Sequence, residues 1–364
     1  MTGAPPSRRN PTASSPVIST GTTPVHRAGR VTQREIADHL GLSLATISLA
    51  LSDSPLVADA TRTKVYETAQ EFGYVYNRSA ASLRKQSSGI IGVCIHDITN
   101  PFFVELITAI EDEIGRHRCQ ILFNQHGESR ERQANFISMM REHGVDGLIL
   151  CPAPDTETQS VERIMAQGTP VVLVSRGLSD VGIDAALMDD QLAMDLAVSH
   201  LIEQGHRDIA LLGGLPGTST GDGRRAGYIA AHERAGLTVH DQMIFPCLPR
   251  RKDAVETTKL LMERDHRPSA IACLNDVMAF GAMATIRSFG MEPGVDIAIT
   301  GIGDVPEAGD WRPSLTTVSA ATQDMGRRAA SLLYERIADP SRPARMEVFN
   351  PTLIVRESSQ SHRA

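Results

Sequence analysis

The sequence predicts an α/β protein in which a small all-α unit precedes two doubly wound parallel-sheet subdomains. Three short helical patterns and a fourth, weaker one are packed into residues 31–85. From Gly89 onward, short apolar runs alternate with helical stretches, which indicates parallel sheets covered by helices on both faces. The chain has 364 residues, 41% of them hydrophobic, enough for two or three domains that each bury a core.

The first two helical patterns are typical of a helix-turn-helix. Thr32 and Glu35 have the spacing of a capping box ahead of the first helix. Gly41 can adopt the positive φ that ends a helix, and Ser43 is a good N-cap for the second helix. The positions expected to face inward are Ile36, Ala37, Leu40, Ile47, Ala50, Leu51, Val65, Ala69 and Phe72.

The outward face of the second helix would enter a DNA major groove. Its residues are Ser43, Leu44, Ala45, Thr46, Ser48 and Leu49. Periodicity alone fits equally well a small helical bundle that contacts protein.

Residues 1–88 hold ten Lys and Arg against six Asp and Glu, whereas the remainder holds 26 against 37. A basic module on an acidic body suits a chain that docks one end on phosphate. The candidate phosphate contacts are Arg62, Lys64, Arg78, Arg84 and Lys85, although a solvated helix face explains some of them equally well.

In the larger part of the chain, strand patterns alternate with helical patterns. A break in this alternation near Asp189 predicts two subdomains with a cleft between them. The strand-like runs are Ile90–Ile95, Gln120–Phe123, Gly147–Cys151, Pro170–Val174, Ile209–Leu212, Ala270–Leu274 and Ile297–Thr300. The helical stretches are Phe102–Arg116, Arg130–His143, Gln191–Glu203, Asp222–Ala235, Arg251–Glu263 and Val277–Phe289.

Several classes of protein are disfavoured by composition. No apolar run reaches the roughly 18 residues of a membrane span. Residues 1–29 are rich in Pro, Ser, Thr and Gly, which predicts a disordered tail and not a signal peptide. The five cysteines are scattered without a Cys-x-x-Cys spacing, which indicates reduced thiols in a cytosolic protein. We expect no metal and no cofactor, since Walker, zinc and dinucleotide motifs are lacking.

Ligands of open α/β sheets bind beyond the carboxyl ends of the strands. Phe102 and Phe103 follow the first strand and could stack on a sugar face or simply pack in the core. Ser175 and Arg176 follow the fourth strand. Arg176 has no acidic neighbour in sequence, so it could bind a ligand anion or hydroxyl, or form a surface ion pair.

Three motifs lie in and after the helical unit: Leu42-Ser43-x-x-Thr46-Ile47-Ser48, Val57-x-x-x-Thr61-Arg62-x-x-Val65 and Phe72-Gly73-Tyr74-x-x-Asn77-x-x-Ala80-x-x-Leu83. Together they resemble the signature of the LacI/GalR family of bacterial transcriptional repressors, and the resemblance extends to about Ser358. The DNA-contacting residues that we expect on this basis are Thr32, Ser43, Leu44, Ala45, Thr46, Ser48, Leu49, Ser52, Thr61, Arg62, Tyr74, Asn77, Arg78, Ala80 and Leu83.

The resemblance also implies a domain plan. A tail at 1–29 precedes a helix-turn-helix domain at 30–76 and a hinge helix and linker at 77–88, whose Leu83 would wedge into the minor groove. The first core subdomain would comprise 89–188 and 321–348, and the second 189–320 and 349–360. Two residues depart from the family: Leu49 stands where many members carry Arg, and Tyr76 stands where Pro is usual.

For the core, the resemblance implies the fold of periplasmic sugar-binding proteins, with three crossovers between subdomains. Arg224 matches the effector-binding Arg of the family, and its planar fork suits paired hydroxyls, carboxylate or phosphate. Asn275-Asp276 matches a second polar contact. Asp189 matches a third, or serves only as a crossover linker.

Two further departures bear on the effector. Gly303 stands where the family often has the Asp that grips sugar hydroxyls, and Asp304 could supply that carboxylate instead. Ser175 stands where many members have Asp. The loss of two acidic contacts favours an anionic effector, such as a phosphorylated sugar or a sugar acid, over an ordinary free sugar.

We therefore expect a cytoplasmic, homodimeric transcriptional repressor without enzymatic activity. It would bind a pseudo-palindromic operator and be controlled by a carbohydrate-related effector. An exported solute-binding protein would share the core fold, but the helical unit and the lack of a signal peptide disfavour it. Ser219, in Gly217-x-Ser219-x-Gly221, matches the serine-hydrolase elbow, yet about four loop residues separate it from the preceding strand. Residues 358–364 carry no Leu heptads, so we expect a dimer and not a tail-joined tetramer.

Overall fold

The computed structural model of this chain describes residues 31–75, 87–178 and 182–360. The chain divides between Arg78 and Ser79 into two compact units, a helical headpiece and a larger α/β core. The predictions made for the 1–29 tail and for the hinge helix lie outside the described residues. The hinge and linker residues concerned are Tyr76, Asn77, Arg78, Ala80, Leu83, Arg84 and Lys85.

The headpiece consists of α1 (Gln33–Leu40), α2 (Leu44–Leu51) and α3 (Asp59–Glu71). The predicted capping box is confirmed, because the Thr32 hydroxyl accepts from the Glu35 amide and the Glu35 carboxylate accepts from the Thr32 amide. Gly41 ends α1 at a φ of 64°. Ser43 caps α2 by accepting from the Thr46 amide at 3.1 Å. The buried core is Ile36, Ala37, Ile47, Ala50, Leu51, Val57, Val65 and Ala69.

The core contains two six-stranded sheets, which confirms the predicted fold class. The first has the order β11-β5-β4-β3-β1-β2 and is parallel throughout. Its strands are β1 (Ile90–Ile95), β2 (Gln120–Gln125), β3 (Gly147–Leu150), β4 (Val171–Val174), β5 (Asp184–Met188) and β11 (Met346–Phe349). The helices that follow these strands or return to this sheet are α4 (Pro101–Arg116), α5 (Arg130–Glu142), α6 (Thr158–Ala166) and α12 (Thr322–Ala338).

The second sheet has the order β12-β10-β9-β8-β6-β7 and is parallel except for β12. Its strands are β6 (Ile209–Leu212), β7 (Ile244–Phe245), β8 (Ala270–Cys273), β9 (Ala298–Gly303), β10 (Thr316–Ser319) and β12 (Thr352–Ile354). The helices are α7 (Asp190–Glu203), α8 (Ser219–Arg234), α9 (Arg251–Met262), α10 (Asp276–Ser288) and the short α11 (Glu307–Asp310).

The chain crosses between the sheets after β5, after β10 and after β11. These crossings place the carboxyl ends of strands from both sheets around one cleft. In the described ranges, no helix is long and apolar enough to cross a membrane, and no group of three His, Cys, Asp or Glu side chains could hold a metal ion.

Helix α8 begins at Ser219, three residues earlier than the pattern predicts. The first turn contains Gly221 and Gly223, which favour helix weakly, but the Thr218 hydroxyl caps the Gly221 amide at 3.1 Å. Packing also requires a small residue in α8. A Cβ on Gly227 would lie 2.1 Å from the carbonyl oxygen of Gln191 in α7, so the close contact of the two helices depends on glycine.

Candidate functional site

The exposed face of α2 is the candidate surface for reading DNA. Leu44 and Leu49 are 46% and 37% exposed, and Ala45 is exposed between them. Ser43 and Thr46 are hydrogen-bonded to each other at 2.8 Å, so these two polar side chains are already engaged in capping the helix. The surface therefore offers mainly apolar groups, which suit contacts with thymine methyl groups.

The other described candidates for DNA contact have structural partners within the headpiece. Thr32 is the N-cap of α1, and the Ser52 hydroxyl donates to the Leu49 carbonyl oxygen at 3.1 Å. Tyr74 packs against the headpiece core. Thr61 and Ser48 are half-buried. Their DNA contacts stay predictions.

Arg62 is held in place by the loop that precedes α3. Its guanidinium donates to the Asp59 carboxylate at 2.8 Å and to the carbonyl oxygens of Ser54 and Val57 at 3.1 and 2.9 Å. The spacing of Asp59 and Arg62 on one helix is readable from sequence, but the bonds to Ser54 and Val57 are not. They show that Arg62 fastens the loop between α2 and α3, a role that does not require a phosphate.

The candidate effector site is a cavity of about 40 Å³ between the two sheets. Ligand pockets usually measure roughly 300–1,000 Å³, so this cleft must widen to admit a sugar-sized molecule. The residues that line it are His96, Asn100, Phe102, Phe103, Ser175, Arg176, Thr220, Arg224, Pro249, Leu274, Asn275, Ile302, Gly303 and Ala320.

Six of the predicted effector residues line this cleft, and three do not. Those in the lining are Phe102, Phe103, Ser175, Arg176, Arg224 and Asn275. The carboxylate of Asp189 caps α7 by accepting from the Leu192 amide, and that of Asp304 pairs with Arg356 at 2.8 Å. Asp189 thus caps the helix that follows β5, and Asp304 has a partner outside the cleft.

Asp276 lies beneath the cleft and not in its wall. Its carboxylate accepts from the Thr317 hydroxyl and the Val305 amide. Complete burial raises the pKa of Asp276 to about 6, although these two hydrogen bonds lower it. The carboxylate therefore ties β10 and the loop after β9 to α10, and its neighbour Asn275 is the one that reaches the cavity.

Arg176 is buried and bound to an acidic partner that is distant in sequence. Its guanidinium donates to both carboxylate oxygens of Glu128, at 2.7 and 2.8 Å, and to the Pro152 carbonyl oxygen at 3.2 Å. Burial opposes the charge, but the bonds to Glu128 prevail and raise the pKa of Arg176. Glu128 and Ser175 have φ values of 68° and 63°, a strained region for residues with a side chain that is common at functional sites.

Arg224 is held in a similar way on the opposite wall. Its Nε donates to Asp190 at 2.8 Å, and its Nη1 donates to the Leu274 carbonyl oxygen. Burial raises the pKa of Asp190, although Arg224 lowers it. Each guanidinium of the cleft is thus positioned by its own carboxylate.

Backbone and side-chain hydrogen bonds join the two sides of the cleft. The Gly177 amide donates to the Ser219 hydroxyl at 2.9 Å, and Arg250 Nη2 donates to the Gly127 carbonyl oxygen at 2.9 Å. The Asp155 amide donates to the Gly217 carbonyl oxygen at 3.2 Å. Ser219, the candidate nucleophile of the hydrolase alternative, is therefore a contact between subdomains at the first residue of α8.

Several residues of this site were not among those predicted from the sequence. His96 directly follows β1, and Glu128 is the third residue after β2. The rule that selected Ser175 and Arg176, polar residues just beyond a strand, would have selected both. Asp190 also lies just beyond a strand, but β5 was not among the predicted strands, and Arg250 carried no comparable pattern because its role depends on a contact with the distant loop at Gly127.

Comparison with known proteins identifies both units. The model of the bacterial regulatory proteins of the lacI family matches residues 32–77. The model of the periplasmic binding proteins and sugar binding domain of the LacI family matches residues 88–360. The transcriptional repressor PurR of Erwinia tasmaniensis is 30% identical over 90% of this chain and 96% of its own length. The transcriptional regulator GalR of Escherichia coli is 30% identical over 90% of this chain and 95% of its own.

Solved structures show the same similarity. A LacI family regulator from Enterococcus faecium with bound ribose superposes with a TM-score of 0.68 at 26% identity, over 74% of this chain and 98% of its own. The Lac repressor dimer bound to operator and the anti-inducer ONPF has a TM-score of 0.80 over 92% of this chain and 100% of its own. At 22% identity, the latter comparison shows the fold.

Proposed function

The chain belongs to the LacI family of bacterial regulatory proteins, and we propose that it is a homodimeric repressor that a small-molecule effector controls. One observation carries the proposal: a capped helix-turn-helix and a two-sheet core with a polar cleft occur in the same chain. As a DNA-binding regulator it would act in the cytoplasm. Its curated relatives are transcriptional regulators, which supports neither the hydrolase nor the exported binding protein.

Regulation would follow from closure of the cleft. An effector that binds the closed cleft more tightly than the open one shifts the balance between them, and only that differential affinity can do so. The headpieces of a dimer would then be released from, or fixed on, two half-sites of the operator.

The DNA part of the proposal is tested with the full-length protein and DNA from upstream of its own gene. We expect a retarded complex in a gel-shift assay whose affinity falls steeply with salt, because phosphate contacts release counterions. Unrelated DNA of equal length is the control. Equal affinity for both DNAs at every salt concentration would contradict a sequence-specific repressor.

An exposed apolar edge supports the dimer. Strand β2 lies at the end of the first sheet and pairs only with β1 among the described strands. Leu122 and Phe123 are 40% and 41% exposed on it, and Val104 on the neighbouring α4 is 48% exposed. An unpaired edge with large apolar side chains promotes aggregation unless another chain covers it. We propose that a second copy of this chain covers it.

Replacing Leu122 and Phe123 together by Lys is expected to convert the dimer to a monomer. Desolvating two charges in an apolar interface would then cost more free energy than the remaining contacts contribute. Light scattering after gel filtration measures the mass. Operator affinity should fall by about 100-fold or more, since one headpiece loses the avidity of two. Leu260→Lys, at a 63% exposed site on α9, is the control and should stay dimeric. A dimeric double variant would place the interface elsewhere.

We propose further that the effector is anionic. Two guanidinium groups and no carboxylate line the cavity within the described ranges. A thermal-shift screen of the full-length protein should show stabilisation by sugar acids or sugar phosphates, because a bound ligand raises the apparent stability. Stabilisation by neutral sugars alone would contradict the proposal.

A further inference from the structure

His96 is a buried polar residue of the cleft without a hydrogen-bond partner. It directly follows β1, is 6% exposed and lines the cavity. Neither ring nitrogen has a hydrogen-bond partner in the described part of the chain. The nearest carboxylate oxygen, Glu128 Oε1, is 3.9 Å from Nε2, beyond hydrogen-bond distance.

Other buried histidines in the described core have the partners that His96 lacks. The ring of His126 bonds to the Cys151 carbonyl oxygen at 3.0 Å, and that of His200 bonds to the Ser359 hydroxyl at 2.8 Å. His232 bonds to the Tyr228 carbonyl oxygen at 2.8 Å. Buried polar groups are nearly always bonded, so the exception at His96, on the cavity wall, indicates a group whose partner is a ligand.

The surroundings keep the His96 ring neutral. Burial lowers its pKa well below the ordinary value, and the nearby charges of Arg176, His126, Arg250 and Arg224 lower it further. A neutral imidazole has one N–H donor and one nitrogen acceptor. Such a ring can accept from a ligand hydroxyl and donate to a ligand oxygen at the same time.

The charges around the cavity match a ligand with one negative charge. Arg176 and Arg224 are each balanced by one carboxylate, that of Glu128 or Asp190. Two further charges near the cavity, the Asp276 carboxylate beneath it and the Arg250 guanidinium that acts on His96, have opposite signs, and the caps of α4 and α10, Asn100 and Asn275, add the field of two helix N-termini. Each terminus is equivalent to about +0.5 charge, so the two together suit a monoanion better than a dianionic phosphate.

The lining also suits a ligand that resembles a sugar. Phe102 and Phe103 present aromatic surface to the cavity, and the rings of Phe103 and His96 pack in a T-shaped arrangement with centroids 4.4 Å apart. Apolar faces of sugars pack on aromatic rings, while hydroxyls need acceptors. With no carboxylate in the described lining, the unbonded ring nitrogens of His96 provide an acceptor for a hydroxyl.

We propose that His96 determines effector specificity and that the effector is a sugar acid, a polyhydroxylated monocarboxylate. The guanidiniums and helix N-termini bind the carboxylate, and His96 pairs with an adjacent hydroxyl. This inference rests on the proposed function of the cleft, and it assigns to one residue the choice between an acid and a neutral sugar.

His96→Leu is the main variant, because it keeps an apolar side chain of similar size and removes both ring nitrogens. Removing a buried polar group that has no partner relieves its desolvation cost. The melting temperature of the ligand-free protein should therefore stay equal or rise. Affinity for the effector should fall at least 10-fold, whereas His96→Gln, which retains a donor and an acceptor, should lose less.

The experiment is isothermal titration of the full-length protein with D-gluconate, D-galactonate and D-glucuronate, and with D-glucose, D-galactose and glucose 6-phosphate for comparison. We expect at least one acid to bind and the neutral sugars to bind at least 100-fold more weakly. His200→Leu is the matched control: it removes a buried, bonded histidine outside the cleft, so it should lower the melting temperature and leave affinity unchanged.

Three outcomes would overturn the inference. They are binding of none of the acids, tighter binding of the neutral sugars or of glucose 6-phosphate, and a His96→Leu variant that binds as tightly as the unsubstituted protein. DNA binding without ligand is measured in parallel. If operator binding fails while an acid binds through His96, the repressor proposal falls and the assignment of His96 stands.

Discussion

An Ile47→Asp substitution is expected to abolish operator binding and to leave effector binding intact. Ile47 is fully buried in the headpiece core. A small helical unit has only a few kcal/mol of stability, roughly 3–5, and an unpaired buried carboxylate costs more than that. Because the headpiece is a compact unit of its own, its unfolding should not spread to the α/β core. A gel-shift assay measures the loss, and titration with the effector checks the core.

Leu56→Asp is the matched control for this prediction. Leu56 is 83% exposed in the loop between α2 and α3, so the same charge is introduced without burial. Repulsion of phosphate should weaken DNA binding by about 10-fold at most, an effect that added salt screens. Equal operator affinities for the two variants would show that the fold of the headpiece is not needed for recognition.

The headpiece could be predicted from sequence because its determinants are local. The capping box of Thr32 and Glu35, the positive φ of Gly41 and the cap at Ser43 each involve residues within three positions of one another or a single residue. Such contacts leave a readable spacing in the chain. Arg62 is the exception, since its bonds to Ser54 and Val57 depend on how the loop before α3 folds back.

Only the location of the cleft residues, and not their partners, could be predicted from the sequence. The rule that ligands bind beyond strand ends correctly brought Ser175 and Arg176 to the cavity wall. The partner of Arg176 could not be inferred, because Glu128 lies 48 positions earlier and meets it only through the order of β2, β1, β3 and β4. An arginine that looks unpaired in sequence is thus the best-anchored cation of the site.

Two of the strands missed by the pattern, β5 and β11, each contain a charged residue. Every residue of β11 is exposed or half-buried, and β5 begins with the charged Asp184. The chain returns to the first sheet at β11, which pairs with β5, so this pairing is fixed by a long-range contact. Apolar periodicity carries no information about such strands.

Asp184→Ala is expected to destabilise the core by about 3–5 kcal/mol, the cost of breaking a buried ion pair. Asp184 is fully buried and accepts from Arg336 Nε, from Arg342 Nη1 and from the Arg345 amide, each at 2.8 Å. It therefore joins β5 to α12 and to the segment before β11. Removal of the Asp184 carboxylate would leave the guanidinium groups of Arg336 and Arg342 without this negative charge. Urea unfolding monitored by circular dichroism measures the free energy of unfolding.

An exposed ion pair on α12 provides the control. Asp324 pairs with Arg327 at 2.6 Å with its side chain 65% exposed, so Asp324→Ala should cost no more than about 1 kcal/mol. Equal losses of unfolding free energy for the two variants would show that the Asp184 cluster does not hold the segment before β11 in place.

The pH dependence of the Asp184 effect has a definite sign. Burial raises the pKa of this carboxyl, but hydrogen bonds from Arg336, Arg345 and Arg342 outweigh it and hold the folded pKa below the ordinary 3.8. A depressed folded pKa means that the stabilisation is complete above pH 3.8 and is lost as pH falls through the folded value. The stability gap between the unsubstituted protein and Asp184→Ala should therefore be constant near neutrality and narrow below about pH 4. A gap that widened on acidification would mean that the carboxyl binds its arginines in the protonated form, contrary to the geometry of the cluster.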